Sequence, residues 1–134
     1  MFSRIVRNSF KSTSLFLRNM AATNSTADVN IDPSGTFKYI LLEAKTTDGG
    51  KKLLVRGYEE CPYHSDIYDK TVSELKCKEK NLKCLGGGRI KRENGSIHVY
   101  GYSQGYGKAD HTVTVDILKK QFADHKITWS DEGY

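Results

Sequence analysis

The stretch Ile97-His-Val-Tyr-Gly-Tyr-Ser-Gln-Gly-Tyr-Gly107 decides how the rest of the chain is read. It begins as a strand, because Ile97 and Val99 alternate with His98 and Tyr100 and so face opposite sides of a sheet. It then breaks at Gly101, Gly105 and Gly107. Downstream, Val115, Leu118 and Phe122 recur at helical spacing in TVTVDILKKQF, so the order is strand, loop, helix. Glycines take positive φ without steric penalty, which lets successive N–H groups point at one anion. The same loop also reads as a tight connector rimmed by tyrosines, and only residues elsewhere can decide.

Immediately upstream, Asn94-Gly95 predicts a type I′ hairpin that returns Ile97–Tyr100 antiparallel to Arg89-Ile90. Before it, LKCL (Leu82–Leu85) reads as a short strand and Gly86–Gly88 as a flexible corner. Further back, FKYILLEA (Phe37–Ala44) reads as a buried strand, TTDGG as a turn, and KLLVRGY (Lys52–Tyr58) as the returning strand. Pro62 suits a first helical position. Tyr63–Lys80 carries residues 64, 67, 68, 71 and 75 on one stripe, which predicts a long helix with that stripe inward. A second helix over Thr112–Phe122 and a final strand KITW complete the list. The economical architecture is α+β: a mixed, largely antiparallel sheet of about five or six strands with two helices packed on it.

A chain of 134 residues fits one domain with a real core, placed here at residues 28–134. Residues 1–27 stand apart. They hold Arg4, Arg7, Lys11 and Arg18 and no acid before Asp28, with Phe2, Ile5, Val6 and Phe10 on one helical face. That pattern reads as a mitochondrial presequence or as an untargeted tail, and the protein is expected in the cytoplasm unless the extension directs import. Without those four cations the formal charge of +5 falls to +1, a poor basis for nonspecific nucleic-acid binding. Three cysteines, Cys61, Cys77 and Cys84, make an odd count without framework spacing and point to a reducing compartment. No apolar run approaches the ~20 residues that span a bilayer, so no membrane partner is expected.

Among the histidines, His64 is the most informative, since it falls in the first turn of the long helix and on its inward stripe. The positive end of the helix dipole disfavours an imidazolium and favours an anion, so a neutral imidazole beside a phosphate is natural there. A half-buried histidine bonded to backbone would give the same pattern. His98, His111 and His125 read as structural. Lys38, Arg56 and Arg89 flank the strands; if the strands are neighbours, these cations converge beside the glycine loop, and otherwise they are solvated strand ends.

Other motifs fall short. Gly107-Lys108-Ala109 fails the P-loop pattern. Cys84-Leu-Gly-Gly-Gly-Arg89 has one residue too few for a loop of amides encircling a phosphate between cysteine and arginine, so Cys84 reads as a small buried strand residue. Gly101-Tyr-Ser103-Gln-Gly105 matches the nucleophile elbow, with Asp110 or Asp116 and His111 or His125 in the right order, but no helix starts at the serine. Cys61 and His64 lack a second ligand pair, and no metal is expected.

Taken together, FKYILL at Phe37, VRGY at Val55, YHSDIYDK at Tyr63, CLGGGRI at Cys84, HVYGYSQGYGKADH at His98 and the terminal DEGY resemble the small phosphohistidine phosphatase family, which includes the janus proteins. The resemblance implies that His64 is catalytic, and that Lys38 with Ser103, Gln104 and Gly105 holds the phosphoryl group. Arg56 and Arg89 would shape the positive pocket. It implies histidine-phosphorylated proteins as substrates, no cofactor and a monomer, and links the janus members to sex-specific differentiation. A binding module that captures phosphohistidine without cleaving it is the rival function.

Overall fold

A computed structural model describes residues 26–131, so the N-terminal extension and the last three residues of DEGY lie outside the described residues. The strands are β1 (Val29–Ile31), β2 (Gly35–Lys45), β3 (Lys51–Gly57), β4 (Leu82–Glu93), β5 (Ser96–Tyr100) and β6 (Lys126–Trp129). They form one sheet in the order β1-β3-β2-β4-β5-β6, antiparallel at its centre and parallel at both edges. Two helices, α1 (His64–Leu75) and α2 (His111–Gln121), pack on it. The mixed α+β architecture expected above is the one observed.

Alternation along the strands sorts the core into two layers. Phe37, Tyr39, Leu41, Val55, Ile90, Ile97 and Val99 join Val115 and Leu118 of α2 on one face. Ile40, Leu42, Ala44 and Leu54 join Ile67 of α1 on the other. Of the inward stripe predicted for the first helix, His64, Ile67 and Thr71 are buried.

Four local expectations are corrected. Helix α1 stops at Leu75 rather than running to Lys80, because Lys76 turns into the left-handed region (φ 53°) and brings Cys77 down onto the core. Residues Glu79–Asn81 make a single 3-10 turn instead. Pro62 precedes the N-cap residue, Tyr63, rather than occupying the first helical position. The Asn94-Gly95 connection does join Glu93 to Ser96, but only Gly95 has positive φ (75°), whereas a type I′ turn needs both residues there.

The largest correction concerns Gly86–Gly88, which do not make a corner. They lie inside β4, a continuous strand of 12 residues. Leu41 pairs with Gly86 and Leu42 with Cys84, so Leu85 is an extra residue bulged out of register. Beyond the bulge Arg89 and Lys91 share the α1 face, while Ile90 enters the α2 layer. The short edge strand β1, parallel to β3, has no signature in the sequence beyond the start of the domain near Val29.

Candidate active site

The three glycines of β4 are required by what approaches them. A Cβ on Gly87 would lie 2.7 Å from His64 Cδ2, 2.8 Å from the Tyr39 carbonyl oxygen and 3.0 Å from Ser103 Cβ. Gly87 is therefore the floor on which the α1 histidine and the serine of the glycine loop both rest. On the opposite face, a Cβ on Gly88 would meet the Tyr100 carbonyl at 2.5 Å and His111 at 2.8 Å. The loop itself is stitched to the same strand: Gly87 N–H donates to the Gly107 carbonyl (2.9 Å) and Ala109 N–H to the Gly87 carbonyl (3.0 Å).

His64 is the first residue of α1, where the helix N-terminus is fixed by the Asp66 carboxylate accepting the Tyr63 N–H (3.0 Å). Its Nε2 donates to the Gly88 carbonyl at 3.0 Å, which sets the tautomer and leaves Nδ1 with its lone pair. Burial holds His64 below the ordinary histidine value; the bond to Gly88 opposes this, and the charges of Lys38 and Arg89 reinforce it. The result is a buried, oriented, neutral imidazole.

Across from it, the loop closes on itself through Ser103 N–H to the Gly107 carbonyl (3.1 Å) and Gly107 N–H to the Ser103 carbonyl (2.8 Å). Ser103 Oγ accepts the Tyr106 N–H (3.1 Å). The amides of Gln104 and Gly105 are left without a partner among the described residues. This refines the expectation for the loop, since the Ser103 amide is committed to the loop's own closure and the two that follow it carry the donor role. The ammonium group of Lys38, half-buried on β2, makes no hydrogen bond or ion pair with any described residue.

These groups surround one cleft of about 440 Å³, lined by Lys38, Pro62, Tyr63, His64, Ser65 and residues Ser103, Gln104, Gly105 and Tyr106. Lys38, His64, Ser103, Gln104 and Gly105, named from sequence, are thus brought together. Arg89 pairs directly with Lys38 across the strands and its charge reaches His64, but it stands beside the cleft rather than in its lining. Arg56 does not shape the pocket at all. It is fully buried, donating to both carboxylate oxygens of Glu74 (3.3 and 3.1 Å) and to the carbonyls of Ala27, Asp28 and Val55. A cation facing the α1 side of β3 meets a glutamate of that helix before it can reach the cleft.

Sequence reading missed Tyr63 and Tyr106 as walls and Gly88 as the orienting acceptor. The tyrosines were visible only as a rim to the loop, and a carbonyl has no sequence signal. The rival motifs do not assemble. Burial pushes the Cys84 thiol up to about 11, opposite to what a nucleophilic cysteine needs. His111 is engaged away from Ser103, its Nε2 donating to the Gly101 carbonyl (2.8 Å) and its Nδ1 accepting from Tyr39 (2.7 Å), so no serine triad forms.

The arrangement offers a base or nucleophile on one side and a cation with two main-chain donors on the other, the parts used to receive and cleave a phosphoryl group. Residues 23–126 match the Janus/Ocnus family. The chain is 44% identical over 115 residues to the 14 kDa phosphohistidine phosphatase of Sus scrofa, covering 80% of this chain and 91% of that protein. It is 39% identical over 115 residues to the Homo sapiens protein of the same name, covering 80% and 92%. To the sex-regulated protein janus-A of Drosophila pseudoobscura pseudoobscura it is 39% identical over 140 aligned positions, covering 93% and 94%. On the match of residues 23–126 and on these relatives, the chain belongs to the Janus/Ocnus family.

Proposed function

We propose that this protein is a protein histidine phosphatase that hydrolyses phosphohistidine to histidine and phosphate. The observation that carries the reading is the state of His64: neutral, locked through Nε2 to the Gly88 carbonyl, with Nδ1 unpartnered among the described residues at a cleft that also holds Lys38 and the Gln104 and Gly105 amides. The phosphoryl oxygens sit against Lys38 and the two amides, which neutralise the charge that spreads over them as the bond to nitrogen lengthens. Water attacks phosphorus in line with the departing imidazole. As the P–O bond forms and the P–N bond breaks, His64 Nδ1 takes the water proton and the leaving nitrogen takes one from solvent; His64 then gives its proton back to solvent, so that histidine and phosphate are released and the enzyme returns to its starting state. The P–N bond is labile enough that this positioning and neutralisation suffice without a metal.

His64→Ala should abolish phosphate release from phosphohistidine peptides, by at least ~100-fold for loss of a general base, while circular dichroism and phosphate binding persist. Retained turnover would remove His64 from its role. The janus-named relatives favour keeping one other outcome in view: stoichiometric capture of a phosphohistidine peptide by the wild type with no phosphate released would make the protein a binder instead.

A further inference from the structure

The groups that handle the phosphoryl oxygens and the attacking water occupy only part of the cleft wall. Lys38, His64, Ser103, Gln104 and Gly105 account for them, which leaves Pro62, Tyr63, Ser65 and Tyr106. Two of these four are aromatic, and no residue of the lining is acidic. His64 lies at the floor, 7% exposed, whereas Tyr63 is 68% and Tyr106 36% exposed, so the two rings stand toward the mouth. The Tyr63 ring meets no other ring and no cation among the described residues, although its backbone is fixed where its N–H donates to the Asp66 carboxylate. Tyr106 is braced. Its ring lies 6.2 Å from that of Tyr68, whose hydroxyl donates to the Leu82 carbonyl at 2.7 Å, and its own N–H donates to Ser103 Oγ. A single ring left in water needs no explanation, but two on one cleft beside an anion site point to a ligand.

From this geometry we infer that Tyr63 and Tyr106 form the leaving-group subsite: their rings receive the imidazole of the phosphohistidine and select a flat, aromatic N-phosphorylated group over an aliphatic phosphoramidate. The inference rests on the phosphohistidine-directed reading of the cleft given above. In-line attack puts the departing nitrogen on the side of phosphorus away from the water, and the water is at the floor with His64. The leaving group is also tethered to a substrate protein that stays outside, so it points to the mouth. There it lies one bond from phosphorus, against the residues that adjoin the phosphoryl groups in the chain, Tyr63 beside His64 and Tyr106 beside Gly105. Charge favours the same occupant. A departing amine carries a proton, and with no carboxylate in the lining an aliphatic ammonium finds no counter-charge. An imidazole spreads that charge over a ring, the form that tyrosine faces attract.

Binding can be measured without turnover, by titrating the protein with two phosphonates at a pH where both are dianions. One carries a triazole ring in place of the imidazole, and the other, butylphosphonate, carries a flexible chain that stands for the side chain of phospholysine. The wild type should bind the triazole about three- to tenfold more tightly, the range expected for contact between aromatic rings. Tyr63→Leu and Tyr106→Leu should each reduce that ratio toward one, and Tyr63→Phe, which keeps the ring and drops the hydroxyl, should retain it. In turnover, the leucine variants should lose more kcat/KM on phosphohistidine than on phosphoramidate, which has no ring. A disturbance of His64 or of the loop would lower both alike, so the ratio reads the subsite itself. Equal binding of the two phosphonates by the wild type, or a preference that survives in both leucine variants, would overturn the inference. The two readings fail separately. A ring preference without phosphate release sinks hydrolysis alone, whereas turnover of phosphohistidine without a ring preference sinks the aromatic subsite alone.

Discussion

At the scale of single residues, the site turns on the protonation of one imidazole and the isolation of one ammonium group. His64 is held below the ordinary histidine value by burial, with Lys38 and Arg89 adding to the effect. A base must be unprotonated to act, and a depressed value keeps it so at lower pH. The acid limb of kcat/KM should therefore fall below the ~6.5 of an unperturbed histidine, dropping as pH descends through the depressed value. A limb at or above that mark, with substrate decomposition subtracted, would refute the assignment. Lys38 has no competing anion among the described residues, so its charge is available to substrate. Lys38→Ala should raise KM for phosphohistidine peptides about tenfold or more, as expected for a charge-assisted contact of ~1.5–3 kcal/mol, and leave thermal stability near that of the wild type. An unchanged KM would contradict the cleft as drawn.

At the scale of elements, β4 does what no periodicity argument anticipates. Three consecutive glycines read as a chain breaker, and the reading fails because glycine is required here for closeness rather than flexibility. His64 and Ser103 come down on Gly87 from one side, and His111 and Tyr39 press on Gly88 from the other. Neither approach can be seen until helix α1, the loop and α2 are in place. Gly87→Ala tests this directly. The added methyl meets the Tyr39 backbone as well as the His64 ring, so one of them must shift. Overpacking of this kind destabilises by ~1–3 kcal/mol, and a displaced base should lower kcat about 100-fold. Near-wild-type kcat would show that His64 does not depend on this floor. What was legible was the strand, loop and helix order around Gly101–Gly107, the inward stripe of α1, and hence the meeting of His64 with the loop. The left-handed Lys76 that ends α1 was not, because burial of Cys77 governs it and no local signal announces that burial.

At the scale of the whole molecule, Arg56 shows how a cation chosen from sequence can serve the fold instead of the chemistry. It ties β3 to α1 through Glu74 and to the chain before β1 through the carbonyls of Ala27 and Asp28. Strand ends with lysine and arginine look alike in sequence, and only the opposing element decides which are consumed by an ion pair. Arg56→Ala should lower unfolding stability by ~2–4 kcal/mol, since Glu74 and the carbonyls lose their donor while Glu74 keeps partial access to water. Any loss of activity should follow the unfolded fraction. Chemical denaturation beside kinetics separates the cases, and reduced turnover at full stability would return Arg56 to the pocket.

Leu85, exposed and without an assigned task, keeps the two sides of β4 in phase with the rest of the sheet. With that residue removed, Cys84 and Gly86 become neighbours and still face Leu42 and Leu41, so the deletion would leave every later side chain on the side it now occupies and make β4 a regular strand. Adding a residue is the damaging change. Unless the newcomer were bulged out as well, Ile90 would be turned toward water, Arg89 driven into the apolar layer beneath α2, and the glycine under His64 replaced by its neighbour.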